Sequence, residues 1–116
     1  MGKDLSGKDL RGEDLEGVEL TNANLEFADL RSANLAGTIL QGANLAGADL
    51  ANANLGGANL WRANLTEANL RGANLMGADL TMARMPGADL TDTDLRGATG
   101  ANLEGTIGTP AFMPND

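Results

Sequence analysis

The chain has 116 residues, a formal net charge of −8, and no cysteine, histidine or tyrosine. This excludes a disulfide-stapled fold, thiol or imidazole chemistry, and direct attraction to nucleic acid, which carries its own dense negative charge. No apolar run approaches the length of a membrane span and the start Met1-Gly2-Lys3-Asp4 has no apolar leader core, so a single cytoplasmic domain is expected.

A five-residue pattern opens at Lys3 and continues to Gly97. Leucine returns at every fifth position from Leu5 to Leu95, in eighteen of nineteen slots, with Met85 in the other. A helix turns about 100° per residue and a strand alternates faces, so neither element buries all these leucines on one side. In the first three repeats the slot two before the leucine holds Lys3, Lys8 and Glu13. These belong at the rim of the first coil, with their stems over Leu5, Leu10 and Leu15. From Ala23 to Ala98 that slot is alanine in fourteen of sixteen cases, with Thr38 and Thr93 in the others. Alanine and leucine, two apart in an extended segment, point inward together. The slot between them points outward and is Asp or Asn in sixteen of nineteen repeats. Glycine follows two after the leucine in eleven of nineteen, as a tight corner requires. Each unit reads as a short extended side and a bend, and bends at a constant period coil the chain into a solenoid. The period alone does not say how many sides close one coil.

Units such as Ala43-Asn44-Leu45-Ala46-Gly47 and Ala78-Asp79-Leu80-Thr81-Met82 resemble the pentapeptide-repeat family, and the resemblance runs from Lys3 to about Gly105. It implies an all-β fold, a right-handed quadrilateral β-helix with four pentapeptides per coil and nearly five coils. At ~4.8 Å per stacked strand the core is then about 24 Å long. Residues 1–108 are assigned to this β-helix and residues 109–116 to a C-terminal tail that is a candidate cap.

The four-sided frame sorts the outward residues into columns. One stacks Asp9, Asp29, Asp49, Asn69 and Asp89 beside Arg11, Arg31, Ala51, Arg71 and Thr91. The Asp and Asn side chains there are expected to bond the local backbone while arginine neutralises the acids. Stacked carboxylates do not converge the six to eight oxygens that calcium prefers, so no metal site is assigned. Another part of the surface carries the candidate partner-binding residues Ile39, Trp61, Arg62, Met82 and Arg84. Ile39 takes a slot almost always Asp or Asn, Trp61 and Arg62 stand a coil later, Met82 lies above Arg62, and Arg84 is just around the corner. This is expected to be the only aromatic-plus-arginine cluster, and Trp and Arg are enriched in binding hot spots.

The register breaks after Gly97. Thr99-Gly100 intervenes, Ala101-Asn102-Leu103-Glu104-Gly105 resumes out of phase, and an imperfect unit follows at Thr106-Ile107. The tail then sets Phe112 and Met113 among prolines that cannot continue a ladder, and these two side chains are expected to cover the last layer.

Catalysis finds no footing in this inventory. Serine occurs only as Ser6 and Ser32, without a base to activate it, and a smooth convex rod offers no pocket. No enzyme activity and no cofactor are expected. The function read from the residues is a rigid interaction or scaffold module for a protein partner, with end-to-end or dimeric self-association through strand edges as a further property. The resemblance implies one alternative, since some members imitate B-DNA and bind type II topoisomerases such as DNA gyrase, protecting them from quinolones. A charge of −8 over that rod is about one per 3 Å, thinner than the ~1.7 Å spacing of duplex DNA. The leucine-filled central slots and the non-helical tail also depart from that subgroup and resemble leucine-centred members abundant in cyanobacteria.

Overall fold

Asn24 pairs in parallel with Asn44, Asn44 with Asn64 and Asn64 with Arg84, so the chain returns to the same face every twenty residues. The computed structural model describes residues 2–116. Four such columns, starting at Asp4, Asp9, Asp14 and Glu19, form the first, second, third and fourth faces of a quadrilateral β-helix. Its principal extents are 34 × 23 × 19 Å.

Hydrogen-bond accounting explains the repeat. In one unit Asn44 N–H donates to the Ala23 carbonyl a coil below (2.9 Å), Leu45 N–H to Asn64 (2.7 Å) and Gly47 N–H to Thr66 (2.9 Å) a coil above. Ala48 N–H donates to the Leu45 carbonyl at 3.0 Å and closes the corner as a β-turn. One donor remains, Ala46 N–H, and Asn44 Oδ1 accepts it at 3.0 Å. All five donors are satisfied, as a tightly wound backbone demands. The Asp/Asn slot is therefore a backbone cap for the one N–H that the ladder misses. Arg84 abandons the slot, and two residues on stands Pro86, which has no N–H to cap.

Each corner needs a left-handed residue at its third position, and Asn22, Phe27, Arg62 and Met82 adopt it at φ near +60° (60°, 59°, 58° and 59°) without being glycine. Phe27 leans over Gly47 and Asn22 over Gly42, where an added Cβ would collide with the side chain below. Glycine at 42 and 47 thus supplies space as well as φ.

The core is the stack of inward leucines and alanines. Leu25 through Leu80 are fully buried in every coil. Thr38 and Thr93 occupy alanine slots without penalty because their hydroxyls donate to the Leu15 and Leu70 carbonyls at 2.7 and 2.8 Å. At the N-terminal rim Leu5, Leu10 and Leu15 are half-buried, and Lys3, Lys8, Glu13 and Val18 are exposed.

The upper end differs from expectation. Pairing changes from twenty residues at Asp79–Thr99 to eighteen at Asp89–Ile107 and Asp94–Phe112. The segment Ala101-Asn102-Leu103-Glu104-Gly105 passes above Ala83-Arg84-Met85-Pro86-Gly87 without a bridge to Arg84 and rejoins the ladder where Gly87 N–H donates to the Gly105 carbonyl at 2.7 Å. The ladder does not stop at residue 108, because Leu95 N–H donates to the Phe112 carbonyl and Gly97 N–H to Pro114, both at 3.0 Å. Pro110 falls at a corner of the last layer, where no further coil awaits its missing N–H, and Pro114 takes the slot whose N–H an Asp or Asn caps elsewhere, here two after Phe112, which could not cap it. Phe112 points outward and Met113 takes a leucine slot, with 42% and 44% of their surfaces exposed.

Candidate partner-binding face

Trp61 and Arg62 are the two central residues of the turn between the fourth and first faces. Left-handed φ at Arg62 folds its guanidinium back over the indole, 4.7 Å from the ring centroid, in cation–π contact. Trp61 is half-buried rather than fully outward, as are most residues in the same corner slot. Met82 occupies the same corner one coil on, 59% exposed, and Arg84 stands beside it on the first face, above Asn64. Ile39 is half-buried on the fourth face and pairs with Asn59, so it borders this corner rather than forming it.

The charge around the corner is distinctive. Arg11 meets Asp9 at 2.8 Å and Asp29 at 3.7 Å; Arg31 meets Asp29 at 2.6 Å; Arg71 meets Asp89 at 3.2 Å; Arg96 meets Asp94 at 2.6 Å. Among the described residues Arg62 and Arg84 have no carboxylate within 4.0 Å. The cause is local. Arg11, Arg31 and Arg96 follow an Asp by two residues, which lays the guanidinium fork on the carboxylate through Nε and Nη2. Arg62 sits one place further, at the corner, and Arg84 itself replaces the acid.

These forks hold their carboxylates ionised. The side-chain bond from Arg11 brings Asp9 down to about 2, and the bonds from Arg31 and Arg96 lower Asp29 and Asp94. Groups whose folded pKa is depressed stabilise above the unfolded value and lose that contribution as pH falls through the folded one. The melting temperature should therefore fall as pH is lowered from 4 to 2, and Asp9→Asn with Asp29→Asn should flatten that decline. An acid limb identical in the double variant would show that the forks contribute nothing.

Two expectations need correction. A second aromatic–arginine pair exists, with Arg96 4.0 Å over the Phe112 ring, although Arg96 is tied to Asp94. Phe27, 69% exposed, was missed; its signal was a phenylalanine in the slot that glycine holds eleven times. Shallow grooves also mark the described surface. One of about 380 Å³ is lined by Ala83, Arg84, Met85, Pro86, Asn102, Glu104 and Gly105. Another, about 410 Å³, lies along Arg11, Arg31, Ser32 and Asn52. No group of three or more acidic, histidine or cysteine side chains converges to hold a metal among the described residues, and no helix there is long and apolar enough to cross a membrane.

Residues 4–37, 28–60, 43–81 and 58–97 match the family model described as pentapeptide repeats, in eight copies. Among solved structures the chain is similar to a pentapeptide repeat protein from the Arabidopsis thaliana thylakoid lumen, with 32% identity over 94% of this chain and 77% of that one, at a TM-score of 0.65. It is also similar to HetL, a pentapeptide repeat protein involved in heterocyst differentiation regulation from the cyanobacterium Nostoc, with 32% identity over 99% of this chain and 70% of that one, at 0.59. Full-length QnrB1, a plasmid-mediated fluoroquinolone resistance protein, shares 18% identity over 90% of this chain and 67% of that one at a TM-score of 0.51, a likeness of fold alone. No curated protein matches.

Proposed function

The chain belongs to the pentapeptide-repeat family, a right-handed quadrilateral β-helix, and from that premise we propose that it is a non-enzymatic cytoplasmic interaction module whose Trp61 corner binds an acidic protein partner. The observation that carries this reading is the pair of unpaired guanidiniums, Arg62 and Arg84, set beside Trp61 and exposed Met82 on a rod of net charge −8. Elsewhere on the rod arginine is already neutralised, and the other cationic side chains without an ion pair among the described residues, Lys3 and Lys8, stand at the N-terminal rim with no aromatic beside them, so an acidic surface gains most by approaching here. The indole and thioether supply apolar area beside the charges, the mixture typical of interface centres. A rigid rod also loses little conformational entropy on docking.

DNA mimicry directed at a topoisomerase remains the alternative and has weaker support. A mimic needs a continuous acidic stripe, and Arg11, Arg31 and Arg71 interrupt the longest acidic column on the second face.

The test is capture of cellular partners by the wild-type chain and by a Trp61→Ala, Arg62→Ala variant. With the indole half covered, the substitutions should cost the fold only about 1 kcal/mol. The variant should lose at least tenfold in recovery of one or more wild-type partners. Identical partner sets at equal stability would reduce the corner to surface decoration.

A further inference from the structure

The ladder is open at one corner, and that corner is the one bearing Met82 and Arg84. Among the described residues, every leucine-slot and corner-slot N–H from Leu5 to Gly97 donates to the coil above, except those of Met82 and Met85. The Ala83 carbonyl between them accepts nothing from the protein. The cause is the change of register. The path from Asp79 to Asp89 takes ten steps, whereas the layer above covers it in eight, from Thr99 to Ile107. Two residues short, the upper segment must cut across the corner. The cut starts at Gly100, pressed so closely on the turn below that a Cβ would stand 2.7 Å from Thr81 Cα. The groove of about 380 Å³ lies where the two segments part, with Arg84 and Met85 on one side and Asn102 and Glu104 on the other.

In the regular coils a single residue closes the equivalent groups. Asn64 donates its N–H to the Ala43 carbonyl at 2.9 Å and accepts Leu45 N–H at 2.7 Å. Ala83 C=O and Met85 N–H therefore present the template for one residue of a parallel strand, and Met82 N–H extends that template around the corner. An open edge of this kind invites strand addition. The residue that filled it would carry its outward side chain directly above Arg84, about 4.8 Å away.

We propose that this opening is a strand-addition site, in which an extended acidic segment of a partner protein pairs with Met82–Met85 and sets a carboxylate against the Arg84 guanidinium. The proposal rests on the reading of the Trp61 corner as the partner-binding face and names how the partner is held. A second copy of this chain is a poorer occupant, because its backbone from Leu5 to Gly97 is already paired within its own coils apart from this same opening, leaving little extended chain to add as a strand.

Amide hydrogen exchange with a synthetic octapeptide of alternating Val and Asp tests the proposal. In the free protein the Met82 and Met85 amides should exchange at least a hundredfold faster than those of Leu80 and Gly87. The peptide should slow them at least tenfold, and the same peptide N-methylated at alternate residues should not. Inserting two residues between Thr99 and Gly100 restores the twenty-residue spacing; both amides should become protected and peptide affinity should fall at least tenfold, with Trp61, Arg62 and Arg84 untouched. Slow exchange of the two amides in the free protein, or equal binding of the methylated peptide, would overturn strand addition. Equal binding of the methylated peptide that is lost with Arg62→Ala and Arg84→Ala would leave the partner face standing and remove only this mode of engagement. Protection that grows with protein concentration and ignores the peptide would assign the edge to a second copy and equally overturn the proposal.

Discussion

Leu50→Lys should leave the chain without a cooperative melt and without β-type circular dichroism at room temperature. Leu50 is fully buried in the middle of the stack, between the layers of Leu30 and Leu70, and apart from the hydroxyl of Thr38 the inward slots of those coils hold only Leu and Ala. An ammonium there finds no acid, and an unpaired buried charge costs several kcal/mol. That is comparable with the whole stability of a small domain, about 5–15 kcal/mol. The damage also spreads, because a coil is stable only through its neighbours and the substitution divides the rod into two short stubs. Leu5→Lys, at the half-buried rim beside Lys3 and Lys8, should keep the fold and serve as control. Wild-type melting of the Leu50→Lys chain would contradict the packing described above.

Removing residues 109–116 should lower the melting temperature by about 10 °C and promote association. The segment supplies the carbonyls of Thr109, Phe112 and Pro114 that accept the N–H groups of Asp92, Leu95 and Gly97. Losing these three bonds at about 1 kcal/mol each, together with those that the Ala111 and Phe112 N–H groups donate to the Thr93 carbonyl, corresponds in a domain of this size to a shift of at least that order. The newly bared strand edge and the Leu95 layer would then seek another chain. Scanning calorimetry and sedimentation velocity read the two effects. A truncated chain as heat-resistant and monodisperse as the original would show that the last layer is an idle tail.

Much of this architecture was legible because the repeat repeats its reasons. Inward Leu and Ala, outward Asp or Asn and a corner residue follow from period and polarity alone. Four sides per coil did not, since a five-residue unit closes equally well on paper with another number; that came from resemblance, and the pairing of Asn44 with Asn64 now supplies it. The Asp/Asn preference was read as local backbone bonding, yet its particular target, the Ala46-type N–H, needed coordinates. Pro86 following Arg84 was a signal of the same rule that passed unread.

The site was less legible. The spacing brought Trp61, Arg62, Met82 and Arg84 to one corner, but whether an arginine is free depends on one residue of offset. Asp9-Leu10-Arg11 ties its guanidinium, whereas Asn59-Leu60-Trp61-Arg62 offers a neutral amide and sets the arginine one place further on. Composition cannot separate the two. The open edge at Met82–Met85 was hidden for a different reason. The break after Gly97 was visible in the sequence, but a two-residue deficit does not reveal whether the chain bulges, cuts the corner or abandons the stack. The close approach of Gly100 to Thr81 fits the second.

The central claim is that recognition depends on where the free guanidiniums stand and not on the overall charge of the rod. The direct measurement compares partner binding by Arg62→Glu, Arg84→Glu with binding by Arg11→Glu, Arg71→Glu, two variants of equal net charge. The first pair should abolish capture of the acidic partner while the second leaves it within about threefold, a difference of less than 1 kcal/mol. Equal losses in both variants would mean that bulk charge governs binding and that the Trp61 corner has no special part in it.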